Sequence, residues 1–389
     1  MEEKLAYYSL VPHFKQLRQT GFYPLDPEAP KLQQFLHKLY NRFSVSLLLL
    51  YTMQQIINLY QWRRNINKIM DSMFLFLTYS DCLIKEAAFW NKADEIEGLM
   101  NIMKGPVYNQ KEHKQILIRT VRQAKLVLRI FNIMCLITCL LWAIFPVIFH
   151  LRGKAVEFGI WLPFDSNANP QFYFVVIYVS FQTSWLAYNN STMDVTMAFF
   201  LAQCTTQFFI LRQNLENIVK KSIDDSTTLR ISFAKAFEKR FIGVMQHYNE
   251  IVQSSQKIEE IFGNAVFVQF IFTGWIICTT AYRMINMSPG SIEFLSMILY
   301  ILCVMTQPYL YCFYGNELMY ESDKLMNSAY AMDWLMIAPK QRRYLIIFME
   351  RIKRPIQPKA GFVIPLSANT FVTILRTSYT FYAFLKNSY

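Results

Sequence analysis

The chain has 389 residues, of which 53% are apolar, 16% aromatic and only 17% charged, and its formal net charge is +12. So few charged side chains cannot cover the surface of a soluble protein of this length. The composition therefore excludes an ordinary soluble protein and indicates an integral membrane protein. The positive charge requires no nucleic-acid partner, because basic loops beside anionic membrane lipid account for it.

Residues 1–42 form a polar segment that precedes the first apolar run. The segment contains four prolines and lacks the apolar core of a secretory signal peptide. We therefore predict a cytoplasmic N-terminal segment, and we expect the first membrane span to act as its own insertion signal.

Seven segments have the length and apolar character of membrane-spanning helices, which need about 20 residues. Four of them are uncharged, namely 130–149, 171–193, 261–282 and 294–314. Three carry polar or charged residues, namely 43–60, 69–90 and 364–386. Such residues are tolerated where helices face one another or a cavity, although each of these three segments is alternatively a peripheral helix. The sequence thus predicts an all-α integral membrane protein with seven transmembrane helices.

Lysine and arginine are distributed unequally between the two sides of these seven spans. The segments on the N-terminal side hold 29 of them, whereas the segments on the other side hold 7. Because basic residues concentrate on the cytoplasmic side, the N-terminus is predicted to be cytoplasmic and the C-terminus extracellular. This orientation is the reverse of that in a G-protein-coupled receptor.

Some helices are predicted to continue beyond the bilayer. Residues 171–211 contain a single charge, Asp194, and one helix of that length measures about 62 Å, twice the hydrocarbon thickness. Its second half is therefore expected to pack against protein, which hides four phenylalanines, namely Phe199, Phe200, Phe208 and Phe209. Apolar residues also recur at helical spacing over 233–248 and 344–352. These segments predict a cytoplasmic helical anchor bundle for subunit assembly, with a helix on the membrane surface as the alternative.

The sequence contains no phosphate-binding glycine loop, no His-Glu-x-x-His, no paired-cysteine zinc pattern and no nucleophile elbow. We therefore expect neither an enzyme nor a metal or other cofactor. The outer halves of the spans are instead rich in aromatic residues, which with few polar groups suit a small-molecule site. Packing or interface anchoring is the alternative role for any one of them. The predicted ligand-binding residues are Phe74, Phe76, Thr138, Trp142, Phe145, Tyr178, Phe181, Trp185, Trp275 and Tyr300.

The last third of the chain carries a distinctive set of motifs. They are Tyr309-Leu310-Tyr311-Cys312-Phe313-Tyr314-Gly315-Asn316-Glu317, then Ala329-Tyr330 with Trp334 and Pro339, then Pro365 to Phe371, then Thr377-Ser378-Tyr379. From about residue 260 onward, the chain resembles the insect odorant receptor family. The resemblance implies a ligand-gated, non-selective cation channel, a heterotetramer with an odorant co-receptor subunit, in the plasma membrane of olfactory neuron dendrites. The chain lacks the long second cytoplasmic loop typical of the co-receptor, so it is similar to the subunit that binds a small volatile odorant.

The resemblance also implies that the last helix lines the pore and that Phe384 falls at its constriction. Helical geometry places Thr377, Thr380, Phe384 and Asn387 on one stripe, for which packing against a neighbouring helix is the alternative. Arg376 lies off this stripe, and we expect it to form an inter-helix ion pair or to contact the cytoplasmic vestibule.

The chain is thereby divided into four regions. They are the N-terminal segment 1–42, spans one to six with the ligand pocket and helix extensions at 43–314, the cytoplasmic anchor region 315–363, and the pore-lining last helix 364–389. Two other functions stay open from the residues alone: a chemoreceptor of the gustatory type, and a receptor that signals through a cytoplasmic partner.

Overall fold

The computed structural model describes residues 4–25, 29–285 and 287–388, with side chains described as far as residue 383. The described residues are mostly helical. The helices are α1 (Leu5–Tyr8), α2 (Val11–Thr20), α3 (Lys31–Gln61), α4 (Ile66–Asn91), α5 (Ala93–Lys104), α6 (Lys114–Leu151), α7 (Gln171–Glu216), α8 (Ile218–Leu229), α9 (Phe233–Met284), α10 (Ile292–Tyr330), α11 (Pro339–Ile352) and α12 (Ala368–Ser388). Short 3₁₀ turns occupy Lys111–His113 and Trp334–Met336, and β1 (Lys359–Ala360) pairs antiparallel with β2 (Ile364–Pro365).

Six of the seven predicted spans lie entirely within helices, namely α3, α4, α6, α7, α9 and α10. The seventh, 364–386, was predicted to begin too early, because Ile364 and Pro365 form β2 and α12 begins at Ala368. Of these seven helices, α6, α7, α9 and α10 are both long and apolar enough to cross a membrane. The other three, α3, α4 and α12, have 31, 26 and 21 residues, which also exceeds the length of about 20 that a span requires. They are the helices whose sequences carry polar interruptions.

Helices α7 and α9 are much longer than a bilayer requires. With 46 and 52 residues, they measure about 69 and 78 Å at about 1.5 Å per residue. In α9 the amphipathic segment 233–248 and the span 261–282 are one continuous helix. Protein covers Phe199, Phe200 and Phe208, as predicted, whereas the prediction for Phe209 is wrong, since that side chain is 38% exposed.

Helix α7 lies at the centre of the fold, where it contacts α6, α9, α10 and the N-terminal helix α2. The N-terminal segment adds Phe14 and Leu17 to the main core, both fully buried or nearly so. The ring of Phe14 lies 6.2 Å from that of Phe200 on α7. The first helices therefore form part of the packed structure around α7.

The chain breaks its helical path between Ile352 and Ala368, a stretch that contains the helix-breaking residues Pro355, Pro358 and Pro365. The small hairpin there is fixed to α9, because the Gly361 amide donates to the Gly263 carbonyl at 2.8 Å. Gly361 has φ 56°, a left-handed conformation that glycine adopts readily, and a Cβ there would lie 2.8 Å from the Phe267 ring. In α12, Arg376 is exposed, and within the described residues no ion pair to it is found, so the expected inter-helix pair does not form in the single chain.

Candidate ligand-binding cavity

Two adjoining cavities, of about 350 and 50 Å³, lie among α4, α6, α7 and α10. Leu75, Trp142 and Thr183 line both of them. Together they reach the lower part of the range of roughly 300–1,000 Å³ that small-molecule sites occupy. None of the described side chains of α12 lines either cavity.

Three aromatic rings from three helices form the wall where the cavities meet. The centroid of Trp142 lies 5.9 Å from Phe74 and 5.1 Å from Tyr300, and the centroids of Phe74 and Tyr300 are 5.3 Å apart. The hydroxyl groups of Tyr300 and Thr78 are hydrogen-bonded to each other at 2.5 Å, and this bond joins α10 to α4. These rings offer flat apolar surfaces to an aromatic or aliphatic ligand.

Ion pairs surround the outer, larger cavity. Lys68 Nζ lies 2.7 Å from Glu157, and Arg283 lies 3.3 Å from Glu293. The Arg283 guanidinium also sits over the Phe74 ring, 5.3 Å from its centroid. The cavity thus changes from charged at its rim to apolar at the aromatic wall.

The inner cavity has few hydrogen-bonding groups available to a ligand. The Thr138 hydroxyl already donates to the Met134 carbonyl at 3.0 Å and lies 3.7 Å from Cys303 Sγ. Thr183 donates likewise to the Val179 carbonyl within its own helix. A ligand here is therefore held mainly by apolar contact.

Directly beneath the inner cavity is a group of buried charges. Asn190, which lines the cavity, accepts from Lys85 Nζ at 3.0 Å. The same ammonium lies 2.7 Å from Asp81 and 2.6 Å from Asp194, and Tyr311 donates to Asp194 at 2.5 Å. This group, here called the Lys85 cluster, connects α4, α7 and α10. Pairing of this kind is what permits charges to be buried in a membrane protein.

The structure brings half of the predicted ligand-binding residues to these cavities. Phe74 and Phe145 line the outer one, Thr138 and Tyr300 the inner one, and Trp142 both.

The remaining five lie elsewhere. Phe181 is 52% exposed and packs on Trp185 at 5.5 Å. Tyr178 donates to Gln54 at 2.8 Å, and Phe76 is half-buried on α4. Trp275 stacks on Phe381 of α12, with centroids 5.7 Å apart, and lines a different cavity.

The predicted pore residues are only partly within the described structure. Thr377 and Thr380 are exposed on α12, and their hydroxyls donate to carbonyls one turn earlier in the helix. The side chains of Phe384 and Asn387 lie outside the described residues.

Sequence reasoning missed the smaller lining residues. The inner cavity is also walled by Leu75, Thr78, Cys135, Cys139, Thr183, Leu186, Ala187, Asn190, Cys303, Val304 and Gln307. A signal was present, because Thr183, Ala187 and Asn190 recur at spacings of four and three and so share one face of α7. Small and polar residues on one face of a membrane helix indicate close contact or a cavity.

Comparisons with known proteins identify the family of the chain. A family profile described as 7tm Odorant receptor matches residues 65–379. The chain is 26% identical over 244 residues to odorant receptor 94a of Drosophila melanogaster, covering 62% of this chain and 60% of that protein, so the match spans about three fifths of the relative's length. It is 19% identical over 349 residues to odorant receptor Or1 of Anopheles gambiae, covering 83% of this chain and 82% of that protein.

A solved structure has the same fold. The insect olfactory receptor OR5 of Machilis hrabei, in complex with eugenol, superposes with a TM-score of 0.80 at 15% identity and covers 98% of each chain. At that identity the likeness shows the fold alone. The profile, however, matches most of the chain, and with these relatives it shows that the chain belongs to the insect odorant receptor family.

Proposed function

We propose that this chain is the odorant-binding subunit of a ligand-gated, non-selective cation channel. In this proposal a small, volatile, apolar molecule binds between α4, α6, α7 and α10, and its binding opens a pore lined by α12. The observation that carries the proposal is the cavity walled by Phe74, Trp142 and Tyr300 in a chain of this family. The inner part of this cavity is mainly apolar, and apolar walls with few polar groups suit such a ligand.

The location of the Lys85 cluster supports coupling between the cavity and the rest of the chain. Asn190 belongs to both the cavity and the cluster, and Tyr311 connects the cluster to α10, which packs against α12. A ligand that binds one arrangement of these helices more tightly than another raises the population of the arrangement that it prefers. The size of the shift is set by the difference between the two affinities.

An exposed apolar surface supports assembly with another subunit. In and beside α11, Leu335 is 88% exposed and Ile347 67%, while Ile346 and Met336 are more than half exposed. Large apolar side chains left exposed within one short segment are typical of interaction surfaces. We propose that they contact an odorant co-receptor subunit in a heterotetramer, in the plasma membrane of an olfactory neuron dendrite, with the N-terminus cytoplasmic and the C-terminus extracellular.

Whole-cell recording tests this function. Cells express the chain alone, the co-receptor alone, or both, and receive a panel of aromatic and aliphatic volatiles. We expect a fast cation current that requires both subunits and a ligand not recognised by the co-receptor alone. The channel function would be contradicted if no current is recorded although both subunits are at the cell surface, and if a C-terminal epitope tag is accessible only after permeabilisation. That result would favour a receptor that signals through a cytoplasmic partner.

A further inference from the structure

A separate cavity of about 640 Å³ lies between α9 and α12. No described residue lines both this cavity and the cavities walled by Phe74, Trp142 and Tyr300. Its volume lies within the range of roughly 300–1,000 Å³ that is typical of small-molecule sites. The two helices run side by side here, since a Cβ at Gly274 would lie 3.6 Å from Ser378 Oγ.

One end of this cavity is apolar. Trp275 and Phe381 stack across it with ring centroids 5.7 Å apart, and Ile271, Ile374 and Cys278 complete the wall. Trp275, Ile271 and Phe381 are each nearly half exposed, so the cavity opens toward the surface of the membrane-spanning helices. A hydrocarbon chain dissolved in the bilayer can enter it from the side.

The other end is polar but uncharged. Three carboxamide side chains line it, from Asn316, Gln357 and Asn369, together with the hydroxyl groups of Ser367 and Thr370. Among the described lining residues none is charged. This end lies at the start of α12, which is the end predicted to be cytoplasmic.

The geometry points to a binding site for a neutral amphiphile taken up from the membrane, with an alkyl chain and a hydroxyl or amide headgroup. An ionised headgroup would find no counter-charge among the described residues of this wall. A pure hydrocarbon would cover the half-buried Asn316 carboxamide without hydrogen-bonding it. From Asn369 to Phe381 is 12 residues, about 18 Å along the helix, which accommodates a medium-length alkyl chain.

This site is independent of the proposed odorant cavity, but it adjoins the predicted pore. Thr377 belongs both to the cavity wall and to the stripe predicted to line the pore. An amphiphile held here therefore lies against the helix whose movement is proposed to open the channel.

Photolabelling tests the site directly. Membranes from cells that express the full-length chain are irradiated with dodecanol that carries a diazirine near the end of its chain, and labelled peptides are identified by mass spectrometry. We expect labelling of α9 and α12 within 270–278 and 367–381, and loss of that labelling in the presence of excess plain dodecanol. The matching diazirine-bearing dodecyl sulfate is expected to label these segments several-fold less.

Two glycine variants provide a matched pair. Gly274→Leu projects a side chain into the cavity and should abolish the competable labelling, whereas Gly243→Leu on the same helix, where a Cβ meets no atom within 4 Å, should retain it. If Gly274→Leu fails to fold, Thr373→Leu takes its place. Its side chain fills the cavity from α12 and should abolish the same labelling. The inference is overturned by labelling that dodecanol does not compete, by equal labelling with the sulfate, or by labelling that survives both filled variants.

Discussion

The Lys85 ammonium lies 2.6 Å from the Asp194 carboxylate, and both side chains are completely buried. Asp194 is the only charge in the first 41 residues of α7, so this pair joins α4 to the middle of the central helix. Asp81, one turn before Lys85, approaches the same ammonium at 2.7 Å. The lone charge in this long apolar helix is thus balanced by the Lys85 ammonium on a neighbouring helix.

We expect Lys85→Met to destabilise the protein strongly, because it leaves Asp81 and Asp194 buried without a cation. Removing one partner of a buried ion pair typically costs about 3–5 kcal/mol. Lys68→Met is the control, since Lys68 pairs with Glu157 at a similar distance but Glu157 is 73% exposed, and exposed pairs contribute about 0–1 kcal/mol. Thermal unfolding in detergent measures both, and equal melting temperatures for the two variants would contradict this role for the cluster.

His247 predicts a specific response to acid. It lies in α9 before the span predicted at 261–282, and burial, with a smaller effect of His113, lowers its pKa to about 3. An unfolded histidine has a pKa of about 6.5, so between about pH 6.5 and pH 3 the unfolded chain binds a proton that the folded chain does not. The stability contributed by neutral His247 is therefore fully present above about pH 6.5 and declines as the pH falls, by roughly 2–3 kcal/mol at about pH 4.5.

His247→Gln removes this proton uptake and keeps an amide that can donate to Gln207, which His247 now contacts at 2.9 Å. We expect the variant to melt near the wild-type temperature at neutral pH and to lose less stability than the wild type on acidification. A parallel decline of both proteins with pH, measured in the same detergent, would show that His247 does not contribute.

Tyr300 and Thr78 are expected to act as a pair in ligand response. Their hydroxyl groups are 2.5 Å apart and join α10 to α4 beside the cavity. Tyr300→Phe and Thr78→Val each remove this hydrogen bond, worth about 1 kcal/mol, and each should raise the half-maximal odorant concentration about fivefold. The double variant should shift it little further, and additive shifts would indicate two independent effects.

Phe384 is predicted from the family resemblance to line the pore constriction. Phe384→Ala should increase the current without ligand or alter ion permeability, and should leave the ranking of odorants unchanged. Tyr379→Ala is a suitable control, because Tyr379 is 69% exposed and lies about 140° around the helix from position 384 at about 100° per residue. Unchanged conduction in Phe384→Ala would remove this residue from the pore.

The spans could be predicted from the sequence because uncharged length is a local property. The sequence also indicates the continuity of α9 from Phe233 to Met284, because the amphipathic segment 233–248 leads into the apolar span 261–282. The contact between Lys85 and Asp194 is different, since 109 residues of sequence separate them and several polar residues are plausible partners for each.

The N-terminal helices and the cavity walls were also beyond sequence reasoning. Gln203 on α7 donates to Ser9 at 2.6 Å, and the side chains of Gln16 and Thr192 are also hydrogen-bonded to each other. Such buried partners become visible only when the helices are placed together. The same holds for the cavity, because an aromatic residue in a span faces either protein or lipid. Trp142 and Phe181 are both aromatic residues within predicted spans, and only the packing of the helices shows that Trp142 lines the cavities and Phe181 does not.

That contrast provides the most direct test of the proposed odorant site. Whole-cell concentration–response curves are recorded from cells that express the co-receptor with the wild-type chain, Trp142→Ala or Phe181→Ala, at matched surface levels. Trp142→Ala should raise the half-maximal odorant concentration about fivefold or more, because a ligand loses about 1–3 kcal/mol of apolar contact, and Phe181→Ala should stay near wild type. A large shift with Phe181→Ala and none with Trp142→Ala would place the odorant outside the cavity between α4, α6, α7 and α10.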